Sequence, residues 1–147
     1  MRQLRLLAAI TATLIVFCAC PRGLAKAPSV TSLFPSGGKQ GSIVEVTVAD
    51  VPEPWPSEVW TSHSGIKFDP IKDKKGVYKT TITADTPTGP HLVRFFNAEG
   101  SSQLRIFFVG LAGETAEVEP NDKLDDAQFL ENTPVVINGR LEKNGDV

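Results

Sequence analysis

The feature that most constrains this chain is the punctuation between residues 28 and 109. Short runs rich in Val, Ile, Thr and Phe are cut every few positions by Gly, Pro, Asn or Asp. None sustains an apolar period near 3.6 residues, so no helix would have a core-facing stripe. IVEVTV (43–48) shows the opposite period, with Val44, Val46 and Val48 on one face and Glu45 and Thr47 on the other. Strands this short, joined by turns this frequent, bury their apolar faces against a second sheet. The expectation is an all-β fold, an antiparallel β-sandwich of about seven strands.

The expected strands are SVTSLF (29–34), IVEVTV, EVWTS (58–62), GIKF (65–68), VYKTTITA (77–84), HLVRFFN (91–97) and SQLRIFFV (102–109). SGGKQGS reads as a turn, its glycines tolerating positive φ. Tyr78, Ile82 and Ala84 are assigned to the core face of their strand. Val93 and Phe95 are assigned to the same core, joined from the last strand by Leu104, Ile106 and Phe108. VPEPWP is a proline-rich loop whose Trp55, with Trp60 beyond it, is expected to cover one end of the sandwich. An exposed Trp55 would serve as a contact for a glycan or a protein. The Lys72–Lys75 run reads as a solvated hairpin loop.

PSVTSLFPSGGKQGSIVEVTV resembles the opening of an immunoglobulin-like IPT/TIG domain. The residues carrying the resemblance are Pro28, Val30, Ser32, Pro35, Gly37, Gly41, Val44, Val46 and Val48. TPTGPHLVRFFNAEGSS resembles the end of such a domain. The resemblance implies an immunoglobulin-like sandwich over 28–109, and a fold of this kind does not fix a function.

At the N-terminus, Arg2 and Arg5 precede an uncharged, mostly apolar run from Leu6 to Cys20. That pattern fits a signal peptide spanning 1–25, cut after Ala25, better than a membrane span. Lipid attachment at Cys20 is disfavoured by Phe17 and Cys18. Removing 1–25 takes Arg2, Arg5 and Arg22, leaving 12 basic against 17 acidic residues, a net charge of −5. It also takes both cysteines, so the expected exported chain is held by its core rather than by disulfides. No clustered basic surface is present, which argues against a nucleic-acid partner. No membrane association is expected after cleavage.

LAGETAEV (111–118) reads as a linker, with the boundary set at 110–116, and a new unit begins at Glu117. Asn121 or Asp122 could cap a short helix running to Gln128, and PVVING (134–139) reads as a strand. In an extended EVEPND, Glu117, Glu119 and Asn121 project from one face, with Asp122 at the adjoining bend. Hard oxygen donors of that kind suit Ca²⁺, although four side chains do not complete its shell. The bland alternative is a solvated acidic linker ending in a helix cap. NDKLDD lacks the glycine and twelfth-position glutamate of an EF-hand.

This tail resembles the start of a bacterial pre-peptidase C-terminal domain, through its E-x-E-x-N-D run, Ala127, Gly139 and Gly145–Asp146. The resemblance implies an incomplete second β-domain over 117–147. It also implies calcium ligands at Glu117, Glu119, Asn121 and Asp122, joined by Asp146. His63 and His91 lie 28 positions apart, without zinc spacing, and read as a loop residue and a strand start. A triad through Ser62, Ser64 or Asp69 lacks any nucleophile motif.

The functional expectation is therefore an exported, non-catalytic binding or accessory module. It would engage an extracellular or cell-envelope protein or glycan, with calcium stiffening the interdomain linker. Two alternatives stand beside it. One is the accessory N-terminal part of a secreted peptidase whose catalytic domain lies elsewhere, and the other is a structural spacer.

Overall fold

The computed structural model describes residues 27–141. The expected signal peptide, Cys18, Cys20 and Asp146 lie outside the described residues. Two sheets face each other across one core. The first has the order β1 (Leu33–Phe34), β3 (Ile43–Val48), β6 (Val77–Ile82), β5 (Ile66–Pro70), all antiparallel. The second has the order β2 (Gly37–Lys39), β9 (Arg105–Gly110), β7 (Gly89–Asn97), β4 (Glu58–Thr61), with a short β8 (Gly100–Ser101) beside β7. This is the strand order of an immunoglobulin-like sandwich, four strands on one sheet and the C-F-G set on the other.

The core forms where the period-two patterns of the two sheets meet. Val46, Val48, Ile66, Phe68, Tyr78 and Ile82 come from the first sheet, and Val93, Phe95, Phe107 and Val109 from the second. Four aromatic rings interlock edge-to-face, with Phe68–Phe107 at 5.5 Å and Tyr78–Phe95 at 5.4 Å, the geometry that ring quadrupoles favour. The proline-rich loop folds over this cluster. Trp55 sits 5.1 Å from Tyr78, and Ser57 Oγ lies 2.9 Å from the Tyr78 hydroxyl. Burial pushes the Tyr78 hydroxyl above its ordinary pKa, and the Ser57 hydrogen bond partly opposes that. Trp55 covers the core as expected, whereas Trp60 turns outward and is about half exposed.

Thr80 occupies a core position between Tyr78 and Ile82, and its Oγ1 is buried with no hydrogen-bond partner. A desolvated hydroxyl of that kind lowers stability. Thr80→Val keeps the shape and removes the polar atom. We expect it to stabilise the fold by about 1 kcal/mol, seen in a thermal melt as a rise of roughly 4–8 °C in Tm.

The structure differs from the sequence reading at several places. SGGKQGS is not only a turn, because Gly37–Lys39 forms β2, paired in parallel with β9. The positive-φ turn just beyond β2 is made by Gly41 (φ 74°). Strand pairing over SVTSLF is confined to Leu33–Phe34. Ala84 lies past the end of β6 and is exposed. The expected linker contains β10 (Gly113–Ala116), paired in parallel with β11 (Val135–Asn138). The expected helix is a single 3₁₀ turn, Leu124–Asp126, entered at Lys123 with no side-chain cap.

The largest correction concerns β9. Leu104, Ile106 and Phe108 face solvent, and Phe107 and Val109 fill the core. The register fixes this, since His91 pairs with Phe107 and Leu92 with Ile106. With Val93 and Phe95 inward, His91 and Phe107 must be inward too. Arg105 falls on the inward register at the sandwich edge, where its Nε donates to the Val30 carbonyl at 2.6 Å.

From Gly110 to Leu141 no residue is buried. Over its described residues this second unit has no core of its own. Leu124, Phe129 and Leu141 are more than four-fifths exposed, and a two-stranded sheet is marginal without further packing.

Candidate functional site

The acidic segment comes after β10 and runs toward the 3₁₀ turn. Glu117 is held at the junction. Its backbone N–H donates to the Asn138 carbonyl at 3.0 Å, and its carboxylate accepts the Arg140 backbone N–H. The same carboxylate lies over Gly139, where a Cβ would meet Oε2 at 2.6 Å. Glycine at 139 thus makes room for the Glu117 carboxylate. Glu119 Oε2 accepts the Asn121 N–H at 3.2 Å. Asn121 Oδ1 is withdrawn from solvent with no hydrogen-bond partner.

Glu117, Glu119, Asn121 and Asp122 are thus neighbours in the chain, and the fifth expected ligand, Asp146, lies outside the described residues. Among the described residues, no group of three or more His, Cys, Asp or Glu side chains is placed to hold a metal ion. Glu117 is turned to the β11 end of the junction, where it binds backbone.

Other contacts brace the junction. Gln128 spans two backbone groups, accepting from the Val118 N–H at 2.9 Å and donating to the Ala116 carbonyl at 3.2 Å. Asn138 Nδ2 donates to Glu114 Oε2 at 2.8 Å. The Arg140 guanidinium stacks on the Phe34 ring, 3.7 Å from its centroid, tying the second unit to the sandwich through a cation–π contact.

At one end of the sandwich the fold brings the two histidines together, with ring centroids 5.7 Å apart. Their distance in sequence hid this. β4 and β7 are neighbours, and the chain leaves β4 where it enters β7. His63 Nδ1 accepts the Gly65 N–H at 3.1 Å, and His91 Nε2 lies 2.7 Å from the Pro87 carbonyl, to which it donates. Each ring thus commits one nitrogen to backbone. Ser62 Oγ accepts the Leu92 N–H at 3.0 Å and Thr83 Oγ1 lies 2.9 Å from Thr86 Oγ1. The Thr83 hydroxyl holds the Asp85 carboxyl below its ordinary pKa, helped by Asp85's own backbone and the nearby His63. These contacts tie loops together.

The outer face of the second sheet carries the three side chains that sequence reading assigned to the core, Leu104, Ile106 and Phe108. Trp60, Leu92, Leu104, Ile106 and Phe108 are between 40% and 58% exposed there. Register pairs Trp60 with Arg94 and Leu92 with Ile106, so these side chains form one continuous surface. Arg94 Nε is buried without a hydrogen-bond partner. Beside it, Ser101, Ser102, Gln103 and Leu104 line a shallow groove.

No protein-family model and no curated protein matches the chain. Among solved structures it is similar to a gamma-CGTase from an alkalophilic Bacillus clarkii, at 18% identity and a TM-score of 0.42. That match covers 61% of this chain and 13% of the other.

Proposed function

We propose that this chain is a non-catalytic accessory module of an exported protein, one that binds and spaces. The observation carrying the reading is the junction. The chain leaves the sandwich at the end of β9, re-enters a strand at Gly113 and packs back through Arg140 on Phe34. A spacer must hold the units on either side of it at a set attitude, and paired strands with a stacked side chain do this better than a mobile acidic linker. In this reading the junction is stiffened by hydrogen bonds and packing, without a metal. Partners would be an extracellular or cell-envelope protein or glycan, and export rests on the signal-like segment at 1–25.

Backbone ¹⁵N relaxation tests the proposal. With chelator present, we expect residues 113–138 to tumble with the sandwich under one correlation time. Arg140→Ala should loosen them, and adding calcium should leave both the relaxation and the Tm unchanged. Independent tumbling of the parent chain would remove the spacer reading. Stiffening that appears only with calcium would restore the metal-dependent linker.

Described residues contain no helix long and apolar enough to cross a membrane.

A further inference from the structure

We propose that Asn138 is a site of spontaneous deamidation, its side-chain amide displaced by the backbone nitrogen of Gly139, and that the acid so formed unpicks the junction between the sandwich and the second unit. The chemistry stands on its own, and its effect on stiffness rests on the spacer reading above.

The reaction needs an asparagine followed by a residue whose backbone nitrogen can reach the carboxamide carbon. Glycine serves best, since it has no Cβ to hold the two apart, and asparagine is among the thermolabile residues. Asn138 is followed by Gly139 at the point where β11 ends. Asn97, Asn121 and Asn132 are followed by Ala98, Asp122 and Thr133, all with a Cβ. Among the described residues, Asn138 is therefore the asparagine placed to react. Asn144 and Gly145 repeat the dipeptide outside them.

The fold leaves the nucleophile open. The Asn138 carbonyl accepts the Glu117 N–H at 3.0 Å and the Arg140 N–H goes to the Glu117 carboxylate, so both face β10. Alternation along the strand turns the intervening Gly139 N–H to the other edge of β11, and that sheet has two strands only. Gly139 is exposed to water. The Asn138 side chain is held toward β10, its Nδ2 donating to Glu114 Oε2 at 2.8 Å. The reaction therefore waits on a local opening that swings Cγ onto the Gly139 nitrogen. Such an opening is cheap in a two-stranded sheet with no buried residue.

The steps balance without redox chemistry. The Gly139 nitrogen gives its proton to solvent and bonds to Asn138 Cγ. The Cγ–Nδ2 bond breaks, and Nδ2 leaves as ammonia with a proton from solvent, closing a succinimide. Water then opens the ring at either carbonyl, leaving aspartate or, with the main chain routed through Cβ, isoaspartate. Aspartate sets a second carboxylate against Glu114 where a hydrogen bond stood, and like charges across a strand pair repel. Isoaspartate lengthens the main chain by one atom before Gly139, which displaces Arg140 from the Glu117 carboxylate and the Phe34 ring. Deamidation thus acts as a clock that releases the second unit from the sandwich.

The test incubates the full chain at mildly alkaline pH and digests it with trypsin. Cleavage after Lys123, Arg140 and Lys143 puts Asn132 and Asn138 in one peptide and Asn144 in another, so fragmentation in the mass spectrometer reads each separately. We expect Asn138 to convert at least tenfold faster than Asn132, with isoaspartate in excess of aspartate. Glu114→Ala should speed the conversion by freeing the carboxamide. Gly139→Ala should slow it at least tenfold, although the added Cβ would meet Glu117 Oε2 at 2.6 Å and so loosen the junction. That opposition separates succinimide chemistry from simple loosening. Asn138→Asp should speed amide exchange at Glu117 and Arg140, while Val46 and Tyr78 keep the parent's protection. Conversion of Asn138 no faster than of Asn132, aspartate without isoaspartate, or an unslowed Gly139→Ala overturns the site. Unchanged exchange in Asn138→Asp overturns the clock. The mass readout does not depend on whether the second unit tumbles with the sandwich, so the spacer reading can fail while the site stands.

Discussion

Replacing Phe107 with alanine is expected to cost about 3–5 kcal/mol, and the same change at Phe108 less than about 1 kcal/mol. The two residues are adjacent and chemically identical, so transfer preference does not distinguish them. Position on the pleat does. Phe107 is fully buried, 5.5 Å from the Phe68 ring, whereas Phe108 is 55% exposed on the opposite face. Truncating Phe107 removes apolar area and opens a cavity that the surrounding rings, held edge-to-face, would fill only in part. Truncating Phe108 leaves its position open to water. Urea unfolding with the slope held common reads both costs. Equal costs, or a larger one at Phe108, would mean that β9 pairs one residue out of the register described, since a slip of one inverts every side chain on the strand.

That pair also shows how far the sequence could be read. The all-β class and the sandwich were legible, because IVEVTV and VYKTTI alternate cleanly and each has one face that water would reject. Where both faces of a strand carry apolar residues, period two gives no direction. β9 is such a strand: Leu104, Ile106 and Phe108 compete with Phe107 and Val109. Arg105 is no guide to the direction either. An arginine is expected outward, but this one sits at the sheet edge and satisfies its Nε on a carbonyl of the N-terminal segment. Nothing near Arg105 in sequence announces Val30 as that acceptor. The error filed three residues of the exposed apolar face as core. The histidine pair was hidden for a related reason, since only the pairing of β4 with β7 makes residues 63 and 91 neighbours. For the acidic segment the sequence supplied donor types but not their directions. Glu117 is drawn to the Arg140 amide by the parallel pairing of β10 with β11, a contact between segments too far apart for local periodicity to register.

Gly37→Ala is the second change with a large expected effect, about 1–3 kcal/mol of destabilisation. Gly37 stands beside Phe108 in the parallel β2–β9 pairing, and a Cβ there would meet the Phe108 carbonyl oxygen at 2.5 Å. That oxygen belongs to backbone tied into the sheet on both sides, so it cannot swing away as a side chain would. The neighbouring Gly38 makes the contrast. Its added Cβ would meet Ile82 Cδ1 at 2.5 Å, the far end of a flexible side chain that can change rotamer. A Cβ at Gly110 would meet nothing within 4 Å. The expected order of cost is therefore Gly37, then Gly38, then Gly110. The glycine at 37 serves close approach rather than a positive φ, and the approach matters because β2 carries the chain from the first sheet to the second. Phe108 N donates to the Ser36 carbonyl at 2.9 Å and Gln40 N to the Gly110 carbonyl at 2.8 Å. Forcing β2 away from β9 breaks both. Amide exchange should therefore speed up first at Phe108 and Gln40 in Gly37→Ala, while Val46 and Tyr78 in the other sheet keep protection closer to the parent's. Uniform loss of protection across both sheets would show instead that β2 is needed for the sandwich as a whole, and not only for closing the edge of the sheet that carries Arg94.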